Sequence, residues 1–216
     1  MSIDHMQPSQ VDFDKRISDH KLFRRHDSGL YRHLSAFAVR DGQRSSAFHF
    51  HIATWPGYLN ISGDVGCCTF ARLDDMFDFF RTDPPGGINP TYWAEKLQVC
   101  KGCTSDAVMV FSEERFRSGI QDIFRDWKED CGLSSETIAE TQEAFSEDIF
   151  AELENNGEVA AYRAAMDFST NGLTFTDFWE FDSREFDFHY IWLCRAIVWA
   201  IAKYDAGEYV IEEGEG

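Results

Sequence analysis

The stretch FHFHIATWPGYLNISG, Phe48–Gly63, decides the fold. Phe48–Trp55 reads as a strand, Pro56-Gly57 as a turn, and Tyr58–Ser62 as a short strand leaving it. A connection this short joins antiparallel neighbours, because a parallel pair needs a crossover of a dozen residues or more. Outward from that hairpin, His20–Arg25 and Leu30–Arg40 have strand character. Asp27-Ser28-Gly29, Asp41-Gly42 and Gly63-Asp64 supply the intervening turns. The segment from 17 to 72 is therefore expected to be β-rich.

From Leu73 onward the period changes to that of helices. Asp74–Phe80 sets Met76, Phe77 and Phe80 along one side. Asn89-Pro90 opens a helix over TYWAEKLQV, with Asn as N-cap and Pro in the first turn. Ser112 caps another, whose stripe is Phe116, Ile120, Phe124 and Trp127. A further helix is expected from Ser135 to Glu154, burying Ile138, Phe145, Ile149 and Leu153 and ending at Asn155-Asn156-Gly157. Val159–Phe168 reads as helical, and Asp187–Tyr204 is apolar nearly all round, the mark of a central buried helix. Strands followed by a run of helices imply an α+β fold, an antiparallel β-meander packed against a C-terminal helical bundle. The expected limits are a flexible N-terminus over 1–16, one domain over 17–205 (β-rich over 17–72, mainly helical over 73–205) and an acidic tail over 206–216.

The chain of 216 residues holds 38 acidic and 20 basic side chains, a net of −18, with 20 Phe, 6 Trp and 7 Tyr. That aromatic content supplies a core and excludes a disordered chain. The charge argues against direct binding of nucleic acid, which needs a basic surface. It is also uneven: residues 1–105 carry 12 acidic and 12 basic groups, and residues 106–216 carry 26 and 8. No signal peptide or membrane span is read, and six cysteines without a secretion signal suit reduced thiols, so a cytoplasmic location is expected.

Between Lys128 and Arg163 there are ten carboxylates and no Lys or Arg. Glu136, Glu140, Glu143 and Glu147 follow at spacings of four, three and four, which places them on one helix face. Like charges at these spacings cost about 0.2–0.5 kcal/mol per pair. The row covers roughly 16 Å at 1.5 Å per residue. One carboxylate about every 5 Å compares loosely with about 3.4 Å per phosphate along a DNA strand. A solvated acidic face without a partner is the commoner meaning of such a run. The alternative is a nucleic-acid-mimicking surface for a basic partner, in which Asp148, Glu152, Glu154 and Glu158 extend the row. A second acidic stretch, Thr174–Trp192, interleaves carboxylates with aromatics. The favoured reading sends Phe175, Phe178, Trp179, Phe181 and Phe186 into the core, against a protein-binding role.

Catalytic signals are sparse. Cys100 and Cys103 form a C-x-x-C, and with Cys67, Cys68, His49 and His51 they are zinc-site candidates, but adjacent cysteines chelate one metal poorly. His49 and His51 suit a weak metal pair or a general base, and Asp64 a catalytic carboxylate. Ordinary hydrogen-bonded histidines and a hairpin turn explain them more simply. No nucleotide-binding, zinc-protease or serine-hydrolase motif is present. The expectation is no enzyme, no cofactor and no metal site.

Three stretches, TWPGYLNISGDVGCCTFARLDDMFDFFR (Thr54–Arg81), INPTYWAEKLQ (Ile88–Gln98) and FHYIWLCRAIVWAIAKYD (Phe188–Asp205), resemble a group of uncharacterised bacteriophage and prophage proteins. The segment after Gly63-Asp64 in that group usually reads Gly-Thr-aromatic, where this chain has Gly66-Cys67-Cys68. The position of Cys100–Cys103 ordinarily lacks cysteine. The resemblance brings no catalytic residues. It implies a phage accessory role, and with the acidic face it gives the leading expectation: an inhibitor of a host nucleic-acid-binding defence protein, CRISPR–Cas or similar, acting as a DNA mimic and possible homodimer. The competing classes are a hydrolytic or metal-dependent enzyme built on His49, His51 and Asp64, and a self-associating structural phage protein.

Overall fold

The computed structural model describes residues 8–81, 87–99 and 105–212. In chain order its elements are α1 (Gln10–Ile17), β1 (His20–Ser28), β2 (Tyr31–Arg40), β3 (Gln43–Trp55), β4 (Tyr58–Gly63), β5 (Gly66–Ala71), α2 (Met76–Phe80), α3 (Pro90–Ala94) and β6 (Leu97–Val99). A 3-10 turn (Ser105–Val108) and β7 (Met109–Phe111) lead to α4 (Glu113–Cys131) and α5 (Ser135–Phe145). A π-turn (Ser146–Phe150), α6 (Ala151–Asn156), α7 (Glu158–Asp167), β8 (Ser169–Thr170), β9 (Leu173–Thr174) and a 3-10 turn (Phe178–Glu180) follow. The chain ends in β10 (Arg184–Phe186), α8 (Phe188–Asp205) and β11 (Tyr209–Ile211). The fold is α+β, with the antiparallel strands in the N-terminal half and the long helices in the C-terminal half.

Contacts divide the chain into two compact units, one made of residues 1–110 and 186–216 and the other of Phe111–Glu185. This is finer than the single domain expected over 17–205. Each unit has its own apolar cluster, so each buries its own surface.

The first unit holds a seven-stranded sheet in the order β11-β1-β2-β3-β4-β5-β6. Its pairs are antiparallel except β1 with β11, where Leu22 opposes Tyr209 in parallel. Leu22, Leu34, Phe50, Ile52, Leu59, Ile61 and Phe70 are inward on one side of the sheet and almost wholly buried. They share a core with α8, which is buried at Tyr190–Cys194, Ala196–Val198, Ala200 and Ile201. Trp192 anchors it against Phe13 at 5.5 Å, Phe48 at 5.7 Å and Phe50 at 5.8 Å. Full burial of one such side chain contributes about 1.5–3 kcal/mol.

Three local expectations are corrected. Residues expected in a flexible N-terminus form α1, because Ser9 and Asp12 make a reciprocal capping box and Phe13 and Ile17 are buried one turn apart. Part of the expected acidic tail is β11: its backbone pairs with β1, Tyr204 stacks on Tyr209 at 5.8 Å, and Glu212 pairs with Arg25 at 3.1 Å and also with Arg44. The helix begun at Asn89-Pro90 stops at Ala94, since Leu97 and Val99 join the sheet edge beside Phe70 and Thr69.

The second unit is mainly helical. Phe116, Ile120 and Phe124 of α4 pack with Phe145, Ile149, Leu153, Ala161 and Ala165, and with Phe168, Leu173, Phe175 and Phe178 from the segment after α7. Gly119 lets the Phe181 ring lie close: a Cβ at that position would fall 2.5 Å from the ring, which would have to shift.

Candidate functional site

The expected acidic face is built on α5 and its continuation. Ser134 starts the helix by accepting a hydrogen bond from the Thr137 N–H at 3.1 Å. Thr141 and Phe145 turn inward, while Glu136, Glu140 and Glu143 remain exposed. The helix then passes through the π-turn, in which the Ala151 N–H reaches back five residues to the Ser146 carbonyl. Both Ile149 and Phe150 are buried there, an adjacent pair that a regular helix places about 100° apart. The inserted residue advances the helical register by one, so Glu152 takes the place after Glu147 that residue 151 holds in an uninterrupted α-helix.

The proposed contact residues therefore do not form one uniform set. Glu136, Glu140, Glu143, Glu147 and Asp148 are exposed, and among the described residues none of them has an ion-pair partner. Glu152 is half-buried and accepts a bond from Asn156 Nδ2 at 2.7 Å. Glu154 is compensated by Arg117, whose Nη2 lies 2.9 Å from its carboxylate. The same guanidinium binds Glu113 at 2.8 Å and sits 4.4 Å from the Phe150 ring centroid, so it is held in place. Glu158 is exposed in the first turn of α7, where the helix dipole favours a carboxylate. The uncompensated charge is concentrated in the first five residues named. Their unit, Phe111–Glu185, carries 19 acidic and 6 basic side chains, a net of −13.

Two residues in this unit depart from their expected places. Trp179, expected in the core, is 64% exposed, and Phe181 is 37% exposed. Phe175 and Phe178 are buried as expected. Trp179 sits on the 3-10 turn preceded by Asp177 at φ 57°, a left-handed conformation that swings the turn so Phe178 points in and Trp179 out. Phe178 stacks on Phe181 at 5.4 Å, which fixes the turn from below. Asp177, Glu180 and Asp182 are exposed on the same stretch. The alternation of acids and aromatics in DFWEFD was the only sequence signal, and it does not say which ring faces out.

Comparison with protein-family models, curated proteins and solved structures gives no match.

The candidate catalytic residues lie in the other unit and are engaged in the backbone and in each other. Ala36 and Ala38 of β2 oppose Phe50 and Ser45 of β3, so Phe37 faces a bulge of four residues, Ser46–His49. Phe48 adopts φ 55° there, and its N–H is accepted by Asp64 Oδ2 at 2.8 Å. The Asp64 N–H in turn donates to the His49 carbonyl at 3.0 Å. Asp64 thus clips the β4–β5 hairpin onto the bulge. His49 donates from Nδ1 to the Ser46 carbonyl at 2.7 Å and stacks on Phe37 at 5.6 Å. The Ser35 hydroxyl accepts from Arg25 Nε at 2.9 Å and shares a hydrogen bond with His51 Nδ1 at 2.8 Å. Ser35 is fully buried. Burial pushes the His51 imidazole below its ordinary pKa, with His49, His33 and Arg25 adding to that effect; burial does the same for His33, with Arg25 and His26 adding. These side chains form a hydrogen-bonded sheet face.

Cys67 is exposed and Cys68 and Cys194 are buried, while Cys100 and Cys103 lie outside the described residues. No group of three His, Cys, Asp or Glu among the described residues is placed to hold a metal ion. No helix among them is long and apolar enough to cross a membrane.

Proposed function

We propose that the protein is a non-catalytic, phage-type accessory protein that acts in the host cytoplasm by covering the basic surface of a nucleic-acid-binding defence protein, such as a CRISPR–Cas complex. One observation carries this reading: Glu136, Glu140, Glu143, Glu147 and Asp148 stay exposed on one helix without a cationic neighbour among the described residues. Such a row costs the isolated protein stability, and that cost is offset when Arg and Lys side chains of a partner supply charge-assisted hydrogen bonds. Trp179, held outward among carboxylates, suits an aromatic anchor for the same class of partner, since a cation over an indole face is attractive. Steering by unit charge accelerates encounter and weakens with salt.

The test is capture from host lysate at 50 mM and 500 mM salt, followed by assay of the captured protein for DNA or RNA binding with and without this chain. The reading expects salt-sensitive capture and competition with nucleic acid. The variant Glu136→Lys, Glu140→Lys, Glu143→Lys, Glu147→Lys should lose at least tenfold in affinity. Unchanged affinity in that variant, or a partner that still binds nucleic acid fully, overturns the proposal.

A further inference from the structure

The unit containing the sheet has a cavity of about 320 Å³ that the acidic-face reading does not use. Its floor is apolar, from Val65 in the β4–β5 turn, Val108 in the 3-10 turn and Leu193 of α8. Asp187 and His189, at the start of α8, supply its polar side. The volume lies in the range of small-molecule pockets, and an apolar wall with a few converging polar groups is the usual composition of one.

The polar side is ordered. The Asp187 N–H donates to the Val108 carbonyl at 2.7 Å, which ties the start of α8 to the 3-10 turn. Asp187 Oδ1 accepts the His189 N–H at 2.6 Å as the helix cap, and it also lies 2.9 Å from His189 Nδ1. A carboxylate oxygen only accepts, so Nδ1 carries the proton of this contact. In the neutral ring Nε2 is then an acceptor, and its tautomer is set by Asp187. Among the described residues no side chain or backbone group partners Nε2, and with the His189 side chain 52% exposed it is open to solvent or to a ligand. The Tyr190 hydroxyl is turned away from this role, since it donates to the Pro90 carbonyl at 2.8 Å. Gly66, which also lines the cavity, has φ 141°, a backbone conformation that favours glycine.

We infer that this cavity binds a small apolar molecule with a single hydrogen-bond donor at one end, of the phenol or alcohol class, its ring or alkyl part against Val65, Val108 and Leu193 and its hydroxyl donating to His189 Nε2. The apolar floor selects the body of the ligand, and the fixed imidazole selects a donor over an acceptor. The site is independent of the acidic helix and stands or falls without it.

The probes are 4-ethylphenol and 4-ethylanisole, which have the same apolar body with and without the donor, titrated into the full chain and followed by amide chemical shifts. 4-Ethylphenol should bind saturably, with a dissociation constant on the order of 1 mM for so few atoms. It should shift signals from 65–68, 107–108 and 187–193, and 4-ethylanisole should bind about tenfold more weakly. His189→Phe, at an exposed position whose backbone still takes the Asp187 cap, should bring the phenol down to the affinity of the anisole. Val65→Trp should abolish binding of both. Equal affinity of the two probes for the native chain, shifts located elsewhere, or no saturable binding overturns the inference. If Val65→Trp does not fold, the His189→Phe comparison alone decides.

Discussion

Asp64 braces the β3 bulge. Its carboxylate satisfies the Phe48 N–H that the β3 bulge removes from the ladder, and that bulge sends the Phe48 ring to Trp192. Asp64→Ala removes this acceptor from an exposed hydrogen bond that water partly replaces, and should destabilise the chain by about 0.5–1.5 kcal/mol. Asp64→Asn retains an acceptor oxygen and should cost less, a ranking that urea unfolding midpoints check directly. Gly63 beside it has a different constraint: a Cβ would fall 2.2 Å from the His49 carbonyl oxygen, so Gly63→Ala must displace backbone. A second expectation concerns pH. His20, His33 and His51 all have pKa values held below the ordinary imidazole range, in each case chiefly by burial. The unfolded chain therefore takes up protons as pH falls through about 6.5 while the folded chain resists them, so stability falls with pH in that window. His51→Gln should reduce the loss of urea midpoint between pH 7.5 and pH 5.5, and an unaltered pH slope would contradict this account.

At the scale of elements, the α5 row makes a prediction in which stability and binding move in opposite directions. Glu140 stands four residues after Glu136 and three before Glu143. Glu140→Lys turns two repulsive neighbours into two attractive ones and should stabilise the protein by up to about 1 kcal/mol. The same change should weaken capture of a basic partner, so a more stable, weaker-binding variant is the expected result. A variant that is less stable, as read by thermal melting, would show that Glu140 has a structural role instead. The helix itself was legible in the sequence because Phe145, Ile149 and Leu153 keep a strict four-residue spacing to the Gly157 stop. The π-turn within it was not legible, since the pattern of apolar residues fits an α-helix equally well and only Phe150 beside Ile149 hints at an extra inward position. The hairpins at Pro56-Gly57 and Gly63-Asp64 were readable from turn chemistry. α1 and β11 were missed for a different reason: each is short, and each is held by distant residues, Phe13 by Trp192 and Tyr209 by Arg24. Trp179 was misplaced because periodicity through a left-handed Asp177 does not run on into the next turn. The cavity polar pair was hidden in the sequence, as the helix-cap position of Asp187 gives no sign that His189 folds back onto it.

For the whole molecule, the division of charge follows the division into units. Phe111–Glu185 carries a net of −13, which leaves −5 on the other 141 residues, so self-repulsion is borne mainly by the helical unit. Salt screens exposed charges beyond about 8 Å at physiological ionic strength and about 3 Å at 1 M, whereas apolar packing in the sheet unit is indifferent to such screening. Raising sodium chloride from 20 mM to 500 mM should therefore slow amide hydrogen exchange in α5 and α7 more than in β2, β3 and β4. Relief of the three repulsive pairs from Glu136 to Glu147 sets the size of the difference at about 1 kcal/mol. Hydrogen exchange resolved by residue measures both units in one sample, so a general salt effect appears as an equal shift in the two. An equal shift would mean that the row is already neutralised in the folded chain. It would then have no unmet electrostatic demand for a basic partner to satisfy, and the proposed mode of binding would lose its physical ground. A selective shift in the helical unit would mean that the same ions that stabilise the isolated protein compete with its partner, which ties the stability measurement to the salt sensitivity expected of the complex.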